Sequence, residues 1–347
     1  MTGFSAGPIL PMGPGADRPP EERGLERDGV RLLESTEPEE RFHRFSDLPR
    51  LLRAGDLLVV NESATLAASL PARSELGAFR MNLSTQYGPG LWVAEPRWGP
   101  GAPGPLPIAD GAALVVGDVR CTVVAHFPGV RRLVFLEAHG DLREAMRRLG
   151  EPIRYGYAAR GFPLRDYQTI FSRGPGSAEM PSAARPFTPK LVAELRMNGI
   201  ELAPIVLHTG VSSLETGDFA PGTSPVFPEP FEVPPSTVEA ILRTRSQGGR
   251  VVAVGTTVVR ALESVRDDCA LRSARGFTRL YLSPQRPVRS VDALLTGFHE
   301  ASSTHVALLA AFAGMPRVER AYDVAARSGL LWHEFGDSHL LWAAGSG

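Results

Sequence analysis

The sequence is poor in the residue types that most often announce a function. It holds two cysteines, Cys121 and Cys269, with no Cys-x-x-Cys pair, which argues against a structural zinc, an iron–sulfur cluster or a disulfide framework and fits a reducing compartment. Lys190 is the only lysine. The remaining basic side chains are arginines, whose planar fork suits carboxylates and phosphates. Neither charge sign dominates: 37 Lys+Arg stand against 38 Asp+Glu, a formal net charge of -1, so the global balance neither proves nor excludes a nucleic-acid partner. No apolar stretch reaches the length of a membrane span, and the opening residues lack a basic segment followed by an apolar one. The expectation is a cytoplasmic protein with no membrane partner. There is no Gly-x-Ser-x-Gly nucleophile elbow between a strand and a helix, no Gly-x-x-x-x-Gly-Lys loop, no His-Glu-x-x-His helix and no internal repeat.

What is present is the composition of a packed globular protein, 43% hydrophobic and 22% charged over 347 residues, a length that suits two domains rather than one core. The first twenty or so residues are rich in Gly and Pro and read as a tail or an extended arm over the surface. Phe42, Phe45, Leu48, Leu51 and Leu52 carry the spacing of a short helix or ordered turn over 41–52, ahead of a buried strand at Leu57-Leu58-Val59-Val60. From about residue 62 the pattern becomes short strands separated by Gly and Pro, at 79–83, 91–94, 112–116, 119–127 and 133–136, which suggests a small barrel or sandwich. After Asp141 helices and strands alternate. Helices are expected over 142–149, 189–197, 236–245, 304–312 and 318–327 and after Thr257, with strands at 203–207, 251–254 and 293–296. An early strand, a β-rich insert and then α/β alternation imply two domains, one interrupting the other. The expected division is 1–61 with 153–347 as an α/β domain carrying the main site, and 62–152 as an inserted β-barrel domain.

The most informative segment runs Val251-Val252-Ala253-Val254-Gly255-Thr256-Thr257-Val258-Val259-Arg260-Ala261-Leu262-Glu263-Ser264. A buried strand ends at a glycine and two threonines, and a helix begins at once. That turn aims free amides and the positive end of a helix dipole at the strand's carboxyl edge, where carboxylates or phosphates bind. Arg260 and Glu263, three apart, share one side of the helix; a surface ion pair on an ordinary strand-to-helix turn is the bland alternative. A second block, Leu294-Leu295-Thr296-Gly297-Phe298-His299-Glu300 followed by Ser302-Ser303-Thr304, repeats the theme of strand, polar loop and capped helix. His299 is placed for acid–base work or as a hydrogen-bonding clamp. Asp166-Tyr167-Gln168-Thr169 and Leu207-His208-Thr209-Gly210 also put polar groups at strand boundaries, which suits a shared cleft.

These four blocks, in this order, resemble the S-adenosylmethionine:tRNA ribosyltransferase-isomerase family, which carries similar Tyr-Gln-Thr, Gly-Thr-Thr-x-x-Arg-x-Leu-Glu-Ser and Leu-Leu-Thr-x-Phe-His stretches. The likeness extends to Gly24 through Asp28, Gly55 through Asn61, Trp92 through Pro96 and Phe335-Gly336-Asp337, nearly the whole chain. The resemblance implies an α/β domain interrupted by a small β-barrel. It also implies transfer of the ribosyl part of S-adenosylmethionine onto the aminomethyl-deazaguanine of a tRNA anticodon, with release of adenine and methionine. S-adenosylmethionine is then a co-substrate, no metal is implied, and a monomer is expected. Carried onto this chain, Tyr167, Gln168, Thr169, Gly210, Gly255, Thr256, Thr257, Arg260 and Phe298 would bind the donor. His208, Glu263 and His299 would be catalytic, Glu263 orienting Arg260 or the acceptor amine.

The chain also departs from the family pattern. Thr-Arg and Pro-Ala-Arg give way to Ser63-Ala64 and Ala67-Ala68-Ser69, and Pro-Thr-Ala-Gly-Leu-His-Phe to Pro181-Ser182-Ala183-Ala184-Arg185-Pro186-Phe187. Gly-x-Gly-Thr-Phe becomes Gly210-Val211-Ser212-Ser213-Leu214, and a paired-histidine segment becomes 224–229. Two further readings therefore accompany the first: an S-adenosylmethionine-dependent enzyme of the same fold with another acceptor, and a non-catalytic RNA-binding descendant.

Overall fold

The computed structural model describes residues 10–99, 106–130, 132–211, 226–267, 270–301 and 303–343. The chain enters as an arm laid over the main body. Leu10 and Ala16 are buried, Gly15 bridges Trp332, and a Cβ at Gly13 would meet the Trp332 ring at 2.3 Å. β1 (Arg31–Ser35) and β2 (Glu40–Arg44) then form an antiparallel edge pair. Of the short helix or ordered turn expected over 41–52, the first residues are instead strand through Arg44, followed by a single 3-10 turn at Phe45–Asp47 that runs into α1 (Leu48–Leu51). The physical reason is tertiary pairing with β1, which the local apolar spacing does not encode. β3 (Leu57–Asn61) is buried at every position, as a central parallel strand covered on both faces must be. It runs on into β4 (Ser63–Thr65).

Six strands follow: β5 (Ser69–Ser74), β6 (Gly77–Gly88), β7 (Leu91–Arg97), β8 (Ala113–Val116), β9 (Val119–His126) and β10 (Val134–Ala138). They close into a barrel in the order β10-β7-β6-β5-β8-β9. Inward residues such as Leu70, Met81, Leu83, Val116, Val123 and Leu136 make its core, and closure removes every free strand edge. α2 (Leu142–Leu149), capped by the Asp141 carboxylate on the Arg143 and Glu144 amides, packs Leu142, Ala145 and Met146 against it.

β11 (Gly174–Ser177) pairs with β4 in a separate two-stranded sheet, and the remainder builds the larger layer: α3 (Pro189–Met197), β12 (Glu201–Leu207), β13 (Glu229–Val233) and α4 (Pro235–Ser246). After them come β14 (Val251–Val254), α5 (Thr256–Ser264), β15 (Ala274–Thr278), β16 (Ala293–Gly297), α6 (Thr304–Ala313), α7 (Met315–Arg327) and β17 (Ser338–Trp342). Nine strands form one sheet in the order β15-β13-β12-β3-β14-β16-β17-β1-β2. Its centre, β12-β3-β14-β16, is parallel. Apolar clusters cover the two faces, one built around α5, α6 and α7 and the other around α1 and α3. The α/β body interrupted by a β-barrel is the fold expected from the sequence. No helix among the described residues is long and apolar enough to cross a membrane.

Candidate active site

β14 and β16 are parallel neighbours, so their carboxyl ends open on the same side, where parallel sheets bind ligands. A cavity of about 560 Å³ lies there, within the range of small-molecule sites. β14 ends at Gly255, whose φ of 101° is a conformation a side chain resists. The turn delivers Thr256 and Thr257 to the cavity wall at the start of α5. Asn61, at the end of β3, holds this turn: its amide donates to Leu207 O at 2.8 Å and to Thr257 Oγ1 at 3.3 Å.

Arg260 also lines the cavity. It pairs with the buried Glu229 and donates through Nε to Leu280 O at 3.2 Å. Its Nη2 is buried and has no hydrogen-bond partner among the described residues. Glu229 in turn accepts from the Gly210 amide at 2.7 Å. The pairing fixes one edge of the guanidinium and leaves a buried donor without a partner on a residue that lines the cavity, a costly arrangement unless a ligand accepts from it. Two more orphaned polar atoms belong to lining residues, the Tyr155 hydroxyl and Ser303 Oγ.

At the end of β16, Phe298 and His299 reach the same cavity. Phe298 stacks on Trp332 at 4.7 Å between centroids. His299 Nε2 meets Thr296 Oγ1 at 3.0 Å, and its ring stacks on His305 at 4.2 Å and 7°. Burial pushes the His299 imidazole well below its ordinary value, and the neighbouring His305 adds to this. His305 falls to about 4 through burial and the Arg260 charge, and His333 to about 4 through burial. Burial thus keeps these imidazoles neutral. Glu334 moves the other way: burial raises its carboxyl to about 6, against the lowering effect of a Tyr157 hydrogen bond. Glu179 and Glu300 also line the wall, as does Arg97, which is paired with Glu95, so the cavity combines carboxylates, neutral imidazoles and two forked cations, Arg97 and Arg260.

Six of the residues expected at the site are therefore together: Gly255, Thr256, Thr257, Arg260, Phe298 and His299. The other six are not among the lining residues. Glu263 turns away from Arg260 and accepts from the Arg289 and Ser290 amides, both at 2.7 Å; three-residue helical spacing does not reveal which neighbouring loop a carboxylate will satisfy. His208 packs over Gly176 and bonds Ser63 Oγ at 2.7 Å, and burial lowers its imidazole. Gln168 pairs with the Thr65 backbone, Thr169 closes a turn with Ser172, and Tyr167 is buried against Phe335. Gly210 is packed under Phe227 and reaches the cavity only through Glu229.

Sequence reasoning missed Glu229, Tyr155, Tyr157, His305, His333 and Glu334, all of them lining residues. The pair His333-Glu334 stands directly before Phe335-Gly336-Asp337, a usable signal. Tyr155-Gly156-Tyr157 follows the barrel and carried none. Among the departing segments, Pro181, Ser182 and Ala183 form wall, while Arg185 is buried on Glu21 and the Asp166 carbonyl. Ser212, Ser213, Leu214, Ser224, Ser302 and Cys269 lie outside the described residues.

A mixed sheet with a parallel centre, a cavity at the ends of those parallel strands and a closed barrel inserted into the chain define an α/β enzyme with a barrel appendage. The family model described as queuosine biosynthesis protein matches residues 9–341, and the chain belongs to that family. A Thermus thermophilus protein named S-adenosylmethionine:tRNA ribosyltransferase-isomerase is 38% identical over 306 residues, 86% of this chain and 87% of that protein. A Moorella thermoacetica protein of the same name is 36% identical over 345 residues, 96% and 97% of the two chains. The crystal structure of S-adenosylmethionine tRNA ribosyltransferase from Thermotoga maritima is similar with a TM-score of 0.53 and 27% identity, covering 96% of this chain and 99% of that one.

Proposed function

We propose that this chain transfers and isomerises the ribosyl moiety of S-adenosylmethionine onto the aminomethyl-deazaguanine of a tRNA anticodon, giving epoxyqueuosine and releasing adenine and methionine. The observation that carries this reading is the buried, unpartnered Nη2 of Arg260 on the same cavity as the Gly255-Thr256-Thr257 turn. An amino-acid carboxylate is the ligand group that satisfies a forked cation and the first amides of a helix together. Gly255, Thr256, Thr257 and Arg260 hold the methionine carboxylate in this reading, and Phe298 supplies apolar wall.

The sulfonium makes the adjoining ribose carbon electrophilic and acidic. Glu179, Glu229 and Glu300 around the cavity favour that cation. A neutral imidazole beside it can take a proton from the sugar, a role we assign to His299 supported by His305. The acceptor amine attacks in its neutral form. Residues 1–61 with 153–347 carry the chemistry, and 62–152 form the barrel appendage; the protein acts as a monomer in the cytoplasm on tRNA, with no metal in any step.

The test is mass spectrometry of adenine release from S-adenosylmethionine, with and without tRNA bearing the aminomethyl-deazaguanine base. Adenine together with a gain in RNA mass is the expected outcome. Donor binding without reaction on that tRNA would point to another acceptor. No donor binding would overturn the enzyme reading.

A further inference from the structure

Part of the cavity wall lies outside the residues to which that reading gives the donor. Tyr155 and Tyr157 come from the segment after the barrel, and His333 and Glu334 from the turn before β17. The Tyr157 hydroxyl donates to the Glu334 carboxylate, and the His333 ring stacks on Tyr157 at 3.8 Å and 2°. His333 takes a φ of 72°, the only positive value recorded for a non-glycine among the described residues. Such strain is stored where the surroundings over-determine a position. Here it sets consecutive side chains, His333 and Glu334, both on the cavity wall. Tyr155 stacks on Tyr157 at 6.0 Å on the same wall, and its hydroxyl is buried with no hydrogen-bond partner among the described residues.

A carboxylate is an acceptor with about four lone-pair positions, of which Tyr157 uses one, and a phenol can donate. That combination complements the pairing edge of a guanine-type base, with its ring N–H and exocyclic amine as donors and its carbonyl as acceptor. Enzymes acting on a nucleobase within RNA read that edge once the base has left the stack. We propose that Glu334 and Tyr155 read the pairing edge of the deazaguanine acceptor, Glu334 accepting from its N–H and amine and Tyr155 donating to its carbonyl. Tyr157 and His333 are positioning residues that hold the carboxylate. Burial raises the Glu334 carboxyl to about 6, which leaves it largely ionised near neutrality. The groups around it are Tyr157, His333, Tyr167 and Glu300, with Glu179, His299 and His305 on the same wall and Arg27 and Arg185 lining the adjoining cleft.

The assignment rests on the ribosyl-transfer reading, and the experiment separates the two. Wild type, Glu334→Gln and Tyr155→Phe are compared on tRNA carrying the aminomethyl-deazaguanine and on the same tRNA carrying its analogue without the 2-amino group, with S-adenosylmethionine affinity measured in parallel. Wild type should favour the 2-amino substrate. E334Q should raise KM for it about tenfold or more and lose the preference between the two bases, with donor affinity within about twofold of wild type as the check on folding. Y155F should lower kcat/KM on both substrates and keep the preference. Wild-type turnover with the preference intact in E334Q overturns this assignment alone. A wild type that binds the donor but modifies neither tRNA overturns the ribosyl-transfer reading and this assignment with it.

Discussion

Arg260 and Glu263 leave the same helix and do different work. Arg260 is held by Glu229 and presents a buried, unpartnered nitrogen, whereas Glu263 pins the Arg289 and Ser290 amides ahead of β16. Replacing Arg260 by Lys keeps a charge beside Glu229 but removes the fork. We expect donor affinity measured by calorimetry to fall about tenfold or more; unchanged affinity would defeat the carboxylate clamp. Both residues were visible in the sequence as one patch on a helix. Their separation was not, because helical spacing gives the side a residue faces, not the partner that the folded chain brings to it.

At the scale of elements, the strand-to-helix turn from β14 to α5 is the hinge of the site. The strand is an apolar run buried on both faces, and all of α5 except Arg260 and Ser264 is buried. The turn between them depends on Gly255 at a φ of 101°. A Cβ there would meet Ala183 at an ordinary 3.5 Å, so space does not forbid Gly255→Ala and backbone strain alone opposes it. The expected cost is about 1–3 kcal/mol in urea unfolding, together with weaker donor binding. A variant as stable as wild type with full donor affinity would show that the turn tolerates a side chain. The apolar run, the glycine and the helix were legible because each is a local signal. The strand Glu40–Arg44 was hidden because its partner is supplied by pairing across the sheet edge, and local spacing favoured a helix there.

Across the whole molecule, four desolvated imidazoles, one buried and three half-buried, set the response to acid. His299 is held well below its ordinary value, His305 and His333 near 4 and His339 near 3, burial being the first cause in each. The unfolded chain binds protons on these groups near their ordinary value of 6.5 while the folded chain refuses them, so their stability contribution is present above about 6.5 and is lost as pH falls towards 4 and 3. The slope is at most about 1.4 kcal/mol per pH unit for each histidine in its window. Glu334 works in the opposite sense: its folded value of about 6 lies above the ordinary value of 4.5, so its contribution is present below 4.5 and lost as pH rises through about 6. Urea midpoints should therefore fall on acidification from about pH 7 to about pH 5; a midpoint that holds or rises would mean that the imidazoles are not kept neutral. The sequence by itself determined the α/β body, the β-rich insert and the family, because apolar periodicity, glycine turns and ordered polar blocks are properties of neighbouring residues. Only the tertiary structure decided which of those blocks share a cavity. Glu229, Tyr155, Tyr157, His305, His333 and Glu334 meet at the ends of β14 and β16 from segments far apart in the chain, and no local pattern records a meeting that the folding of the whole sheet brings about.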